Sequence, residues 1–182
     1  DGGMVSTNDD EIAELVRMLL KHGGKDKYNV DHIGYNARLD TLQAAIVLAK
    51  FRYINNFNER RRKIAEMYIE GLKDLEDVLI PELMEGHVFH QFTIFVKNGK
   101  RDKLQKYLKE KGISTMVYYP FPLHKMKVFE GRSRVFGSLE NAEKACESVL
   151  SLPMEPLQEI ATTEVVIKAI KEVYGKINGI CP

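Results

Sequence analysis

From Thr41 to Leu72 one apolar stripe recurs at helical spacing: Leu42, Ile46, Ala49, Tyr53, Phe57, Ile64, Tyr68 and Leu72. At 3.6 residues per turn the stripe covers about eight turns. Helices in globular domains usually have three or four. The pattern therefore predicts one long helix that links two packed bodies. One body lies before residue 51. The other begins at about residue 87, after a connection that carries Pro81.

The first body opens DGGMVSTNDDEIAEL. Gly2–Gly3 reads as a turn and Met4–Thr7 as a strand. Asn8 with Glu11 forms a capping-box pattern, with Asn in place of Ser or Thr. Ile12, Leu15, Val16 and Leu19 mark the apolar face of the helix that follows, and Gly23–Gly24 end it. Position 1 is not Met, and this opening resembles the middle of a fold. The expectation is the C-terminal part of a longer protein. Residues 24–39 read as a polar loop, and Asp40 as the N-cap of the long helix.

The second body starts with HVFHQFTIFV, residues 87–96. Val88, Phe92, Ile94 and Val96 alternate there as in a strand. Asn98–Gly99 turn the chain, and a helix with Leu104 and Leu108 ends at Gly112. A short strand, Ile113–Tyr118, runs into YYPFPLH. Ser138 is placed to cap a helix bearing Ala142, Ala145, Val149 and Leu150. Pro153 and Pro156 break the chain. Thr163 is placed to cap a last helix bearing Val166, Ile170, Val173 and Ile177. Strand, helix, strand, helix, helix makes a small α/β or α+β unit.

Composition removes several function classes. Lys and Arg number 27 against 26 Asp and Glu, so there is no basic surplus to attract nucleic acid. No apolar run approaches the roughly 18 residues of a membrane span, and the opening carries no signal-peptide pattern. No membrane partner is expected. Cys146 and Cys181 make no disulfide framework, and a reducing, cytoplasmic setting is the expectation.

Most candidate motifs have a structural explanation. His87 and His90 would face opposite ways on a strand and have no third ligand near in sequence, so no metal site is expected. The basic run ERRRK, residues 59–63, reads as a solvated helix face. Cys146 reads as core. No nucleophile signature and no glycine-rich phosphate loop is present. Two segments remain. In GYNARLD, Asn36 offers two amide N–H donors and Arg38 a charged planar fork. Both precede a helix N-terminus, where backbone N–H groups favour phosphate or carboxylate. A solvated loop would explain them as well. In YYPFPLH, two prolines stiffen a path that carries Tyr118, Tyr119 and His124. It suits a sugar or nucleotide site, and equally a packed crossover loop.

Together these strings resemble the sugar-nucleotide aminotransferases of the DegT/StrS type, which use pyridoxal 5'-phosphate on fold type I. The resemblance covers essentially the whole chain. It rests on DGGMVSTNDDEIAELVRMLLKHG, GYNARLDTLQAAIVLAK, HVFHQFTIFV, KGISTMVYYPFPLH and SLPMEP, of which GYNARLDTLQAA is highly specific. It implies an α/β fold class. Residues 1–50 would be the end of the large cofactor-binding domain, 51–86 the long helix and connection, and 87–182 the small C-terminal domain. It also implies that the Schiff-base lysine lies upstream of Asp1. Lys21, Lys25 and Lys27 do not occupy that motif position, so no catalytic residue is assigned and this segment alone is expected to be inactive.

By the same resemblance, Asn36 reaches across a homodimer interface to the cofactor phosphate of the neighbouring subunit. Arg38 sits at that shared site and favours the anionic parts of the amino-acid donor or the sugar nucleotide. Tyr118, Tyr119 and His124 line the sugar pocket. The chain departs from the family here, because His-Tyr-Pro is common where Tyr118-Tyr119-Pro120 stands. The implied reaction moves an amino group from glutamate to a keto-sugar on a nucleoside diphosphate, in amino-sugar or cell-surface polysaccharide biosynthesis. Two other readings stay open. One is a dehydratase-like homologue that keeps the cofactor without the lysine. The other is a regulatory or assembly homologue that has lost catalysis.

Overall fold

The structure, a computed structural model, describes residues 2–26 and 28–178, without the side chains of 175–178. Lys27, Ile177 and Cys181, singled out above, lie outside those described residues and side chains. The chain divides into two compact units, one ending at Tyr53 and the other beginning at Ile54.

In the first unit, α1 spans Asp10–Leu19. Its N-cap is Asp9, one residue beyond the expected Asn8. Asp9 Oδ1 accepts from the backbone N–H of Glu11 at 2.9 Å and of Ile12 at 3.0 Å. Thr7 Oγ1 in turn accepts from the Asp9 N–H. A carboxylate capping a helix that carries Asp10 and Glu11 in its first turn adds negative charge at the positive end of the helix dipole. Met4–Thr7 is not a strand, because no strand among the described residues pairs with it. The second helix, α2, spans Thr41–Phe51.

The expected single long helix is two. After Phe51, the Tyr53 N–H bonds to the Lys50 carbonyl, three residues back instead of four. The ladder restarts at Ile54 with α3, Ile54–Leu72. Asn55, Asn56 and Asn58 crowd this restart, and asparagine competes with the helical backbone for hydrogen bonds.

The second unit adds β1 (Val78–Leu79), β2 (Phe92–Val96), α4 (Arg101–Glu110), two short 3₁₀ turns (Leu123–Lys125 and Lys127–Phe129), α5 (Glu140–Ser148), β3 (Val149–Leu152) and α6 (Ile160–Asn178). The sheet is antiparallel in the order β1-β2-β3, with Val78 opposite Val96 and Ile94 opposite Leu150. Alternate β2 residues Phe92, Ile94 and Val96 are buried. They share one core with Tyr68 and Leu72 of α3, Leu104 and Leu108 of α4, and Val166 and Ile170 of α6.

Several expectations shift here. His87–Gln91 is loop, with Phe89 at φ +48, so only the second half of that segment pairs. Ile113–Tyr118 contributes one isolated bridge, Met116 to Ser151, and is not a strand. Val149 and Leu150 leave the helix and form β3, whose residues are buried. A β-branched residue opening a short apolar run before Pro153 fits a pleated, buried strand better than a helix end. Ser138 does accept from the Glu140 N–H, at 3.3 Å, although the cap position itself is Leu139. Thr163 is not a cap. It is fully buried inside α6, and its Oγ1 accepts from Gln158 Nε2 at 2.8 Å.

The run ERRRK is not simply solvated. Arg60 donates to the carbonyls of Pro156 and Gln158, and Arg62 to those of His87, at 2.8 Å, and Met84. These arginines tether the loops at 84–87 and 156–158 to α3. Among the described residues no helix is long and apolar enough to cross a membrane.

Candidate functional site

In the first unit the GYNARLD loop is stapled to the end of α1. The Tyr35 N–H donates to the Leu19 carbonyl at 2.7 Å, the His22 N–H to the Tyr35 carbonyl at 2.9 Å, and the Ala37 N–H to the Leu20 carbonyl at 3.1 Å. Two glycines make the approach possible. A Cβ on Gly34 would sit 2.2 Å from the Gly23 nitrogen. One on Gly23, which holds φ +95, would sit 1.7 Å from the His32 carbonyl oxygen. Only residues without a Cβ fit where these two segments cross.

Extended backbone after the crossing answers why Asn36 and Arg38 stand one residue apart. Residues i and i+2 of an extended segment share a face. Arg38 lies against Asn36, and its Nε and Nη2 donate to Asn36 Oδ1 at 3.3 and 3.1 Å. With Oδ1 so engaged, the amide N–H₂ forms no hydrogen bond among the described residues. Both side chains are exposed. The Asp40 carboxylate occupies the N-cap position of α2 but makes no capping bond. The donor chemistry of this pair, an amide N–H₂ and a planar cation, fits the acceptor oxygens of a phosphate or carboxylate.

In the second unit, Tyr118 and Tyr119 pack edge to face, with ring centroids 5.5 Å apart at 65°. Tyr119 is 68% exposed and Tyr118 37%. Tyr118 lines a cleft of about 280 Å³ together with His90, Gln91, Ser114, Met116 and Met154. His124 is engaged elsewhere. Its Nε2 lies 2.9 Å from Glu143 Oε1, and Lys125 Nζ lies 2.5 Å from Glu143 Oε2. Those bonds, from Lys125 first and His124 second, hold the Glu143 carboxyl below its ordinary range. They fasten the first 3₁₀ turn to α5.

The structure thus joins Asn36 to Arg38 and Tyr118 to Tyr119, and it pairs His124 with Glu143. Among the described residues no group of His, Cys, Asp and Glu could hold a metal ion. His87 instead accepts from the Phe89 N–H through Nδ1, at 3.0 Å. Two neighbours of these sites were not legible in the sequence. Lys21 is bridged to Asn36, a long-range pairing that no local pattern signals. His90 joins the Tyr118 cleft because residues 87–91 are loop and not strand.

Comparison with known proteins places this geometry. The family model of the DegT/DnrJ/EryC1/StrS aminotransferases matches residues 1–171. A pleiotropic regulatory protein of Geobacillus stearothermophilus is 47% identical over 178 residues, covering 96% of the chain and 47% of that protein. A dTDP-3-amino-3,4,6-trideoxy-alpha-D-glucose transaminase of Streptomyces venezuelae is 37% identical, covering 98% and 47%. Among solved structures, S. venezuelae DesV in complex with a ketimine intermediate superposes with a TM-score of 0.86 at 34% identity, covering 96% of the chain and 46% of DesV. A Bacillus subtilis protein with its bound cofactor PMP superposes at 0.83 and 31% identity, covering 93% and 41%. The chain spans about half the length of the curated relatives it matches. These neighbours share its mixed α/β architecture across nearly all of its length, and the chain belongs to the DegT/DnrJ/EryC1/StrS aminotransferase family.

Proposed function

We propose that the intact protein is a pyridoxal phosphate-dependent aminotransferase that moves an amino group from glutamate to a keto-sugar carried on a nucleoside diphosphate. It would work in the cytoplasm, in amino-sugar or cell-surface polysaccharide biosynthesis. The observation that carries the reading is the Asn36–Arg38 pair, held on the Gly23–Gly34 crossing inside a family match over residues 1–171. The cofactor, when bound, supplies the electron sink for the transfer. In this reading Asn36 donates its amide N–H groups to the cofactor phosphate, and Arg38 holds that amide in place and attracts the anionic parts of donor and acceptor. Tyr118 and Tyr119 offer hydroxyls to the sugar, and His124, which is paired with Glu143, joins the sugar pocket by the resemblance alone. The lysine that anchors the cofactor is expected in sequence preceding Asp1.

The domain assignment belongs to the same proposal. Residues 1–50 would end the large cofactor-binding domain, 51–86 would link, and 87–182 would form the small domain. The homodimer with shared sites rests on the family resemblance. The α2 helix is apolar along most of its length and has no buried residue, and since the chain spans about half the length of its relatives, the rest of the large domain can cover it as readily as a second subunit. A second reading, a regulatory homologue of the same fold, is favoured by one fact: the relative at 47% identity is named for a regulatory role.

Reconstitution of the intact protein with pyridoxal phosphate separates the two. The aminotransferase reading expects a visible cofactor absorbance band, bleached by glutamate, and borohydride should fix the cofactor on a lysine outside residues 1–182. A protein that takes up no cofactor, or that carries it on Lys21 or Lys25, would overturn the assignment.

A further inference from the structure

The GYNARLD loop gathers more positive charge than its own two donors. Lys21 and Asn36 form an isolated antiparallel bridge, flanked by the His22 to Tyr35 and Ala37 to Leu20 hydrogen bonds. Bonds on the flanking residues make Lys21 and Asn36 a non-hydrogen-bonded pair. In such a pair the Cα atoms approach to about 4.5 Å and the side chains leave from the same face. Arg38, two residues on, shares that face and lies on Asn36 Oδ1. Three donor-bearing residues therefore leave the loop on one face, carrying an ammonium, an amide N–H₂ and a guanidinium.

Among the described residues neither Lys21 nor Arg38 forms an ion pair with a carboxylate. Lys25, on the same loop, does so with Glu14 at 2.8 Å. Asp31 and Asp40 are close in sequence but pair with neither cation. Two like charges brought to one face repel each other, and here a crossing that admits no Cβ holds them there. A dianion between them removes that repulsion and takes charge-assisted bonds from all three groups.

We propose that Lys21 is the third donor of this site and that the site takes a phosphoryl group. The inference rests on the function proposed above and extends it to a residue outside the GYNARLD string. Two ligands could bring that group: the cofactor's phosphate ester or the diphosphate of the sugar nucleotide. Phosphate-bearing and phosphate-free partners distinguish them.

The experiment measures equilibrium binding to the intact protein of two matched pairs, pyridoxal 5'-phosphate against pyridoxal and dTDP against thymidine. The variants are Lys21→Ala, Lys21→Arg, Asn36→Ala and Arg38→Ala. A charged hydrogen bond at a half-wet site corresponds to roughly a tenfold change in affinity. Lys21→Ala should weaken the phosphorylated member of one pair about tenfold and leave its phosphate-free member unchanged. Lys21→Arg should retain most of the affinity. The pair that responds names the source. If Lys21→Ala weakens phosphorylated and phosphate-free ligands alike, the lysine is structural and the inference fails. If Asn36→Ala weakens binding while Lys21→Ala changes nothing, the inference also fails and the proposed function stands. If none of the alanine variants alters any of the four affinities, the loop binds no phosphoryl group and the functional reading of Asn36 falls with it.

Discussion

The crossing of residues 22–24 with residues 32–34 is the foundation of the proposed anion site, and Gly34→Ala tests it directly. An added Cβ would lie 2.2 Å from the Gly23 nitrogen, 2.5 Å from the His22 carbonyl carbon and 2.7 Å from the Gly23 Cα, where ordinary contact begins at 3.4 Å. All three obstacles are backbone, so no rotamer change relieves them, and the segments must part by more than an ångström. The Asp31 and His32 N–H groups bond to the Gly23 carbonyl on the far side of the crossing, and three backbone bonds hold the side next to Asn36: Tyr35 to Leu19, His22 to Tyr35 and Ala37 to Leu20. At about 0.5–1.5 kcal/mol each, their loss makes a local destabilisation of about 2–4 kcal/mol. Hydrogen exchange reads this residue by residue. The His22, Tyr35 and Ala37 amides should exchange about 30- to 1000-fold faster in the variant, at about 1.4 kcal/mol per tenfold. Asn36 and Arg38 ride on the displaced segment, so affinity for pyridoxal phosphate should fall with the protection. Gly3→Ala is the control in the same unit, because nothing lies within 4 Å of its added Cβ. If Gly34→Ala keeps wild-type protection at these amides and wild-type cofactor affinity, the crossing does not position the site.

In the intact enzyme Arg38→Ala should lower catalytic efficiency toward donor or sugar nucleotide by about ten- to a hundredfold, the worth of one charged hydrogen bond of about 1.5–3 kcal/mol, when each substrate is varied at saturating cofactor. Mixing Asn36→Ala subunits with subunits lacking the cofactor-anchoring lysine should restore part of the activity, since each mixed dimer holds one intact composite site; mixed dimers that form and stay inactive would refute shared sites. Burial pushes the Tyr68 hydroxyl up to about 12, against a smaller opposing hydrogen bond from Gln158. The neutral form is therefore favoured by folding: its contribution is complete below about pH 10 and is lost as pH rises toward 12, for about 2–3 kcal/mol in all. Tyr68→Phe gives up the bond to the Pro153 carbonyl, worth about 1 kcal/mol at neutral pH. It should also flatten the alkaline loss in a denaturant titration against pH; an unchanged alkaline slope would refute the assignment.

Elements whose cause is local were legible in the sequence. The apolar faces of α4 and α6 follow from spacing alone, and Leu104, Leu108, Val166 and Ile170 are core residues as expected; in α1 the buried residue is Met18, which the stripe Ile12, Leu15, Val16 and Leu19 left out. Misreadings occur where a tertiary partner decides. Val149 and Leu150 satisfy a helical period, yet the edge of β2 is available and they pair with Phe95 and Ile94. Thr163 is a good cap by type, but the helix starts three residues earlier and its hydroxyl serves Gln158 instead. β1 has two residues, too few for any alternation to show. The arginines of ERRRK look solvated because their acceptors are carbonyls 22 to 98 residues away in sequence. The site divides in the same way. Asn36 and Arg38 are two positions apart in sequence and were legible as a pair. Lys21 reaches them only through a bridge across the loop, and the Glu143 that holds His124 stands 19 residues downstream.

The α2 helix shows how one stretch carries both fold and site. Read for period, Leu42, Ile46 and Ala49 give it a single apolar stripe. Read for composition, residues 44–49 are Ala-Ala-Ile-Val-Leu-Ala without a polar break, and a face that would meet water is absent there. The structure bears out the composition: Leu42, Ile46, Val47, Leu48 and Phe51 are each more than half exposed, and no α2 residue is buried. Such a helix lowers its free energy only when other protein surface covers it. The chain spans about half the length of its relatives, so that surface is either the rest of the large domain or, in the proposed homodimer, a second subunit. The loop bearing Asn36 and Arg38 runs straight into the N-terminus of α2, so whatever docks on the helix also receives the donors. Hydrophobic burial then supplies the association energy, and the charged pair supplies the orientation and the ligand. The two halves of GYNARLDTLQAAIVLAK are in this sense one device, with an apolar half that brings a surface close and a polar half that has an anion to hold once it arrives.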